Sequence, residues 1–237
     1  MTQITYDERR GEIETYFDRT AVQAWARLTS DEPVGRIRAT VRAGRDRMRD
    51  TLLSWLPEDL DGARLLDAGC GTGALAVAAA QRGAHVLAID LSSTLVDLAR
   101  ARSSAIVGTG AGAGTIDFRS GDMLDPALGE FDFVVGMDSL IHYAAPDAVR
   151  VLAGLAQRTR RALLFTFAPS NPALAAMHSV GKLFPRGDRA PAIVPVSEGR
   201  LRRLLTQDEQ LNGWAPTRTR RIASGFYTSQ AMELAKS

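Results

Sequence analysis

The chain has 237 residues, of which 45% are hydrophobic and 24% charged, and its formal net charge is +2. These values fit one α/β domain with an appendage, large enough to bury a good core, and give no global signal for a polyanion partner. The single cysteine, Cys70, excludes an internal disulfide and a cysteine-rich metal cluster.

Met1 to Arg10 is polar and mixed in charge, without the apolar core of a signal peptide, and no apolar run is long enough to cross a bilayer. A cytoplasmic location is expected, with peripheral contact to an inner or photosynthetic membrane left open. The segment to about Leu60 reads as helical. Ile13, Tyr16, Phe17, Val22 and Trp25 fall at roughly helical spacing, and Asp31-Glu32-Pro33 signals a second helix start. That second helix carries an apolar stripe of Ile37, Val41, Met48, Leu52 and Trp55. Arg38, Arg42, Arg45 and Arg49 recur at intervals of four, three and four, so they share an adjacent face. The face is either solvated or a positive rim toward an acidic substrate or partner. Residues 1–60 are therefore expected to form an N-terminal arm or lid on a core of residues 61–237.

The core alternates strand and helix signals. Strands are expected at Arg64–Ala68, His85–Asp90, Ile116–Ser120, Phe131–Met137 and Ala162–Phe167, with helices at Gly73–Gln81, Ser92–Arg102 and Pro146–Thr159. Gly108–Gly114 reads as a surface loop. Two late strands near Thr217–Ile222 and Phe226–Leu234 complete a seven-stranded sheet with an antiparallel tail strand. Between them and the fifth strand, residues 171–205 read as a helical insertion, placed to cover a substrate.

Asp67-Ala68-Gly69-Cys70-Gly71-Thr72-Gly73 joins the first strand to a helix, and glycines there let backbone approach a ligand closely. Asp90-Leu91 closes the next strand about twenty residues on, where a carboxylate holds a ribose diol. A dinucleotide would set its pyrophosphate at the helix N-terminus, next to an unfavourable Asp67. S-adenosylmethionine instead carries an ammonium and a sulfonium, which a nearby carboxylate attracts. The spacing thus resembles the first motif of the class I S-adenosylmethionine-dependent methyltransferases. The cofactor-binding candidates are Asp67, Gly69, Cys70, Gly71, Gly73, Asp90 and Leu91, with Asp122-Met123 after the third strand for adenine and Met137 at the fourth. Asp122 also reads as a turn acid. Ser139-Leu140-Ile141-His142-Tyr143 then follows the switch-point crevice, where His142 is a poised ligand or donor, or a satisfied loop histidine. The chain lacks the N/D-P-P-Y/F segment of amino-directed DNA methyltransferases and the interleaved aromatics of a single-strand track, so no nucleic-acid partner is expected.

Glu14-Thr15-Tyr16-Phe17-Asp18, Trp25, Leu140-Ile141-His142-Tyr143, Phe167-Ala168-Pro169, Gly181-Lys182-Leu183-Phe184-Pro185 and Gly225-Phe226-Tyr227-Thr228-Ser229 occur in one order along nearly the full length. This set closely resembles the magnesium-protoporphyrin IX O-methyltransferases of bacteriochlorophyll and chlorophyll synthesis. It departs from many relatives at Arg27-Leu28-Thr29-Ser30, where they have an Ile-Tyr-Gly. The resemblance implies a class I, Rossmann-like fold and methyl transfer from S-adenosylmethionine to the ring C propionate of Mg-protoporphyrin IX. It also implies a handoff from the large subunit of the magnesium chelatase, for which the arginine stripe is a candidate docking face. Tyr16 and His142 are the substrate-side candidates: Tyr16 to orient the carboxylate, His142 to orient it or to approach the magnesium. No protein-held metal is expected. Residues 173–184 form an apolar face for the macrocycle, the core or a membrane, and Lys182, Arg186, Arg200, Arg202 and Arg203 are candidates for the second propionate. The competing readings are a methyltransferase for another small molecule such as a quinone precursor, a non-catalytic porphyrin-binding partner, and a nicotinamide oxidoreductase.

Overall fold

The computed structural model describes residues 6–16, 18, 29, 35–103, 114–170 and 192–236. The helices are α1 (Tyr6–Tyr16), α2 (Arg36–Trp55), α3 (Ala74–Ala80), α4 (Ser93–Ser103), α5 (Ala145–Ala156) and α6 (Glu198–Gln207). The strands are β1 (Arg64–Ala68), β2 (His85–Asp90), β3 (Thr115–Ser120), β4 (Phe131–Gly136), β5 (Thr159–Phe167), β6 (Trp214–Ser224) and β7 (Tyr227–Lys236). They form one seven-stranded sheet in the order β3-β2-β1-β4-β5-β7-β6. The first five strands of that row are parallel, and β7 runs antiparallel to both β5 and β6.

Alternation along the strands explains the layers, because successive side chains point to opposite faces. Leu66, Val134, Leu163 and Phe165 face one core with α5 and α6. Leu65, Val86, Phe133, Val135 and Leu164 face the other with α2, α3 and α4. The chain winds outward from β1 to β3 and returns to place β4 beside β1, with Asp67 opposite Val135. That reversal opens a crevice at the carboxyl ends of β1 and β4.

Several boundaries differ from the sequence reading. The Asp31-Glu32-Pro33 signal lies outside the described residues, and α2 begins at Arg36 with Gly35 as its cap residue. Ile37, expected in the apolar stripe, is 60% exposed, whereas Met48 and Leu52 are fully buried. α5 ends at Ala156, not Thr159, because buried Thr159 pairs with Phe131 and starts β5. Exposed Arg160 and Arg161 hid the beginning of that strand by breaking its apolar run. β6 begins at Trp214 and tolerates Pro216 because it is the sheet's edge. Phe226 is not in β7; it sits in the preceding turn, 69% exposed.

The boundary drawn at residue 60 is not a break in packing, since Met48, Leu52, Leu53 and Leu56 belong to the same core as β1 and α3. A Cβ on Gly44 would come within 2.5 Å of the Tyr227 ring, so α2 lies close against β7. Of the expected insertion, residues 192–205 are described. Val194 N–H donates to the Ile141 carbonyl, and Val196 forms a parallel bridge with Pro169. Trp25, most of the Gly108–Gly114 loop and residues 171–191, with Lys182 and Arg186, lie outside the described residues. No helix among the described residues is long and apolar enough to cross a membrane.

Candidate active site

The crevice deepens into a cavity of about 620 Å³. Its floor is the bend after β1, where Gly69, Gly71 and Gly73 have φ of 86°, 53° and 79°. Only glycine takes these angles at little cost. A Cβ on Gly69 would also run into the Ser139 side chain, whereas one on Gly73 would come within 2.9 Å of the Phe118 ring. Gly69 and Gly71 line the cavity; Gly73 is instead the cap of α3, pressed against β3 and α4. Replacing Gly69 with alanine is expected to cost about 2–3 kcal/mol in stability, from left-handed strain and overpacking. Urea denaturation measures it.

Asp67 ends in this cavity, 1% exposed, and its Oδ2 has no hydrogen-bond partner. Burial, reinforced by the charge of Asp90, raises its pKa to about 7 against an opposing pull from the Ala76 amide. The Asp90 carboxylate accepts N–H bonds from Gly71 at 2.8 Å and Ser92 at 3.0 Å. Burial still raises the Asp90 pKa, and those amides only partly offset it. The Cys70 thiol is pushed up by burial and by both carboxylates, so it stays a neutral wall of the bend. Leu91, Met123 and Met137 line the same space.

Asp122 is not among the lining residues. Its carboxylate bonds Arg10 of α1 at 2.6 Å and the Leu124 amide at 2.9 Å. The N-terminal segment is fastened further where the Ser92 hydroxyl donates to Asp18 and Arg102 donates to Thr29. Tyr16, at the end of α1, and buried His142 both reach the cavity. The His142 Nδ1 lies 3.5 Å from the Ala192 carbonyl, an acceptor that favours the proton on Nδ1.

The far wall holds a cluster that sequence reasoning did not assign. Asp138, at φ 55°, turns its carboxylate into the cavity rim just after β4. Arg45 donates to it at 2.6 Å, Tyr227 OH at 3.1 Å, Ser229 Oγ at 3.0 Å and Thr166 Oγ1 at 3.1 Å. Burial and the Asp138 charge push the Tyr227 phenol well above its ordinary pKa, so it remains a donor. The signal available beforehand was the Phe226-Tyr227-Thr228-Ser229 motif, whose alternate residues Tyr227 and Ser229 both meet Asp138. Arg38, Arg42, Arg45 and Arg49 all line the cavity, which decides against a purely solvated stripe.

Residues 65–162 match a family model described as a methyltransferase domain, and residues 136–236 match one described as the magnesium-protoporphyrin IX methyltransferase C-terminus. A magnesium-protoporphyrin O-methyltransferase of Rhodobacter capsulatus is 48% identical over 96% of this chain and 97% of its own. The chain belongs to the magnesium-protoporphyrin O-methyltransferases. The crystal structure of magnesium protoporphyrin IX methyltransferase from Synechocystis PCC 6803, with bound S-adenosylhomocysteine, superposes with a TM-score of 0.81. It is 29% identical and covers 95% of this chain and 98% of that one. A ubiquinone biosynthesis O-methyltransferase of Xanthomonas oryzae pv. oryzae is 37% identical, but over only 54% of this chain and 55% of its own.

The inner end of the cavity fits S-adenosylmethionine on its own chemistry. Asp67 presents a buried, unpartnered oxygen that a cationic ligand would satisfy. Gly69 and Gly71 expose backbone beside it, and Asp90 closes the pocket at the end of β2.

Proposed function

We propose that the chain transfers a methyl group from S-adenosylmethionine to the ring C propionate of Mg-protoporphyrin IX, giving the monomethyl ester for bacteriochlorophyll synthesis. The observation that carries this reading is the polarity of one continuous cavity. Its inner end is anionic, at Asp67 and Asp90, and its rim is cationic, at the arginines of α2. A cationic donor and an anionic acceptor are thereby drawn to opposite ends of one space.

A propionate is ionised at neutral pH, so the acceptor needs placement and exclusion of water rather than a strong base. Bound S-adenosylmethionine supplies a methyl on a sulfonium; its C–S bond breaks as a C–O bond forms to the carboxylate, leaving S-adenosylhomocysteine. Asp67, Asp90 and the glycine bend hold the donor end, and Met123 and Met137 exclude water beside it. The Tyr16 phenol donates to the propionate and orients it. His142, buried on the cavity wall, approaches the substrate's magnesium. The arm ahead of α2 acts as the lid, fastened through Arg10 to Asp122 and through Asp18 to Ser92, while α2 itself stays packed in the core.

Incubation with Mg-protoporphyrin IX and labelled S-adenosylmethionine is expected to add one methyl by mass analysis; unmethylated porphyrin after prolonged turnover would sink the reading. His142→Ala is expected to lower kcat about a hundredfold through lost positioning, and Tyr16→Phe about tenfold through one lost hydrogen bond. Cofactor affinity, measured by calorimetry, should be unchanged in both. Near-normal turnover in both variants would refute the two assignments. The proposal extends to a handoff from the chelatase large subunit and to peripheral membrane contact through residues 172–184. Liposome flotation of the full chain, lost on deleting those residues, tests the second.

A further inference from the structure

The proposed substrate carries two propionates, and only one is esterified. The residues assigned so far account for the reacting one. The arginines on α2 differ in what answers them inside the chain. Arg45 is paired with Asp138 at 2.6 Å, and Arg49 with Asp46 at 3.0 Å. Arg38, exposed at the outer end of the same row, has no carboxylate partner among the described residues, yet it lines the cavity. Arg42 lines it beside Arg38, one helical turn on.

The row is held on a fixed element. Met48 and Leu52 bury the adjoining face of α2, Gly44 abuts the Tyr227 ring, and Arg47 donates to the Ala223 carbonyl at 3.0 Å. At about 1.5 Å rise per residue, Arg38 stands about 10 Å along the axis from Arg45, away from the Asp138 cluster. The site therefore offers a second cationic position, rigidly offset from the end of β4.

Resting on the reading above, we propose that Arg38, with Arg42, forms a subsite for the substrate's other carboxylate, and that this subsite confines the enzyme to a single methylation. A guanidinium pairs with a carboxylate in bidentate fashion and has no comparable interaction with a neutral ester. Mg-protoporphyrin places an anion at Arg38 while its partner propionate meets the donor. The monoester can present its remaining carboxylate to the donor only by turning over, which sets the uncharged ester against Arg38. The lost ion pair disfavours that second encounter, so discrimination arises at the subsite, as a difference in binding between two acceptors.

The test compares kcat/KM for Mg-protoporphyrin IX with that for its monomethyl ester, in the wild-type chain, Arg38→Gln, Arg38→Lys and Arg38→Gln/Arg42→Gln. Arg38→Gln is expected to raise KM for the diacid about tenfold and to lower the diacid-to-monoester ratio by the same factor. Arg38→Lys restores part of the ratio through its retained charge, and the double variant accumulates diester on long incubation. Cofactor affinity stays at the wild-type value. An unchanged ratio in Arg38→Gln, or equal losses on both acceptors, would overturn the subsite while leaving the wild-type reaction intact. No methyl transfer by the wild-type chain would instead overturn the parent reading. Since Arg38 is an exposed residue, its single replacement leaves the fold in place even if the double variant is unstable.

Discussion

Asp67→Asn is expected to weaken S-adenosylmethionine binding by at least about a hundredfold, through loss of a buried charge pair, while making the cofactor-free protein more stable at pH 8. The two effects share one cause. Asp67 is buried with one oxygen unpartnered, and its pKa is raised from 3.8 to about 7. Between those values the folded chain keeps a proton that the unfolded chain has lost. Stability is therefore full below pH 3.8 and falls as pH rises through about 7, by about 4 kcal/mol in all. Asparagine cannot ionise and escapes that loss. The variant should melt higher than wild type at pH 8, with the gap closing toward pH 4. Cofactor binding runs the other way, since a cation favours ionised Asp67. Wild-type affinity should fall below pH 7 and binding there should release a proton, whereas the variant's weak affinity should be flat. Melting curves across pH, and calorimetry in buffers of differing ionisation enthalpy, read both. A variant that binds within threefold of wild type would remove Asp67 from the donor site.

Asp138→Ala is expected to cost about 3–5 kcal/mol, because it strands a half-buried guanidinium. Arg45, 20% exposed, loses its 2.6 Å partner, and the hydroxyls of Tyr227, Ser229 and Thr166 lose their common acceptor. Backbone strain contributes as well, since Asp138 sits at φ 55°, which aspartate and asparagine tolerate better than alanine. Asp138→Asn separates the causes. It keeps the backbone preference and one acceptor oxygen but not the ion pair, so about half the loss should remain. Tyr227→Phe removes one donor and should cost about 1 kcal/mol. Denaturant midpoints at constant m-value measure all three. If Asp138→Ala proves as mild as Tyr227→Phe, the cluster is not a coupled unit.

The legible parts of the molecule were those whose signal is local. Val86-Leu87-Ala88-Ile89 and Phe133-Val134-Val135 are short apolar runs bounded by turns, and they are β2 and β4. The glycines after β1 advertise a backbone that other residues cannot follow, and each has positive φ. Less legible were the ends where polar residues serve structure. The Thr159-Arg160-Arg161 start of β5 and the Trp214 start of β6 lack an apolar run, and only pairing with neighbours defines them. Asp122 illustrates a different difficulty. Its place after β3 suits an adenine contact, but Arg10 reaches it from 112 residues away and engages the carboxylate.

Sequence alone determined the alternating architecture, the glycine bend with an acid at each side, and the spacing that puts four arginines on one helix face. Each depends on side-chain periodicity or on conformations that a single residue type permits, and both act within a few positions. Tertiary structure decided that this arginine face lines the cavity, and that Asp138 becomes the hub for Arg45, Thr166, Tyr227 and Ser229. Those outcomes depend on α2 lying against β7 and on β7 inserting beside β5. Packing between segments so far apart along the chain sets which charges are withdrawn from water, and no local pattern encodes that.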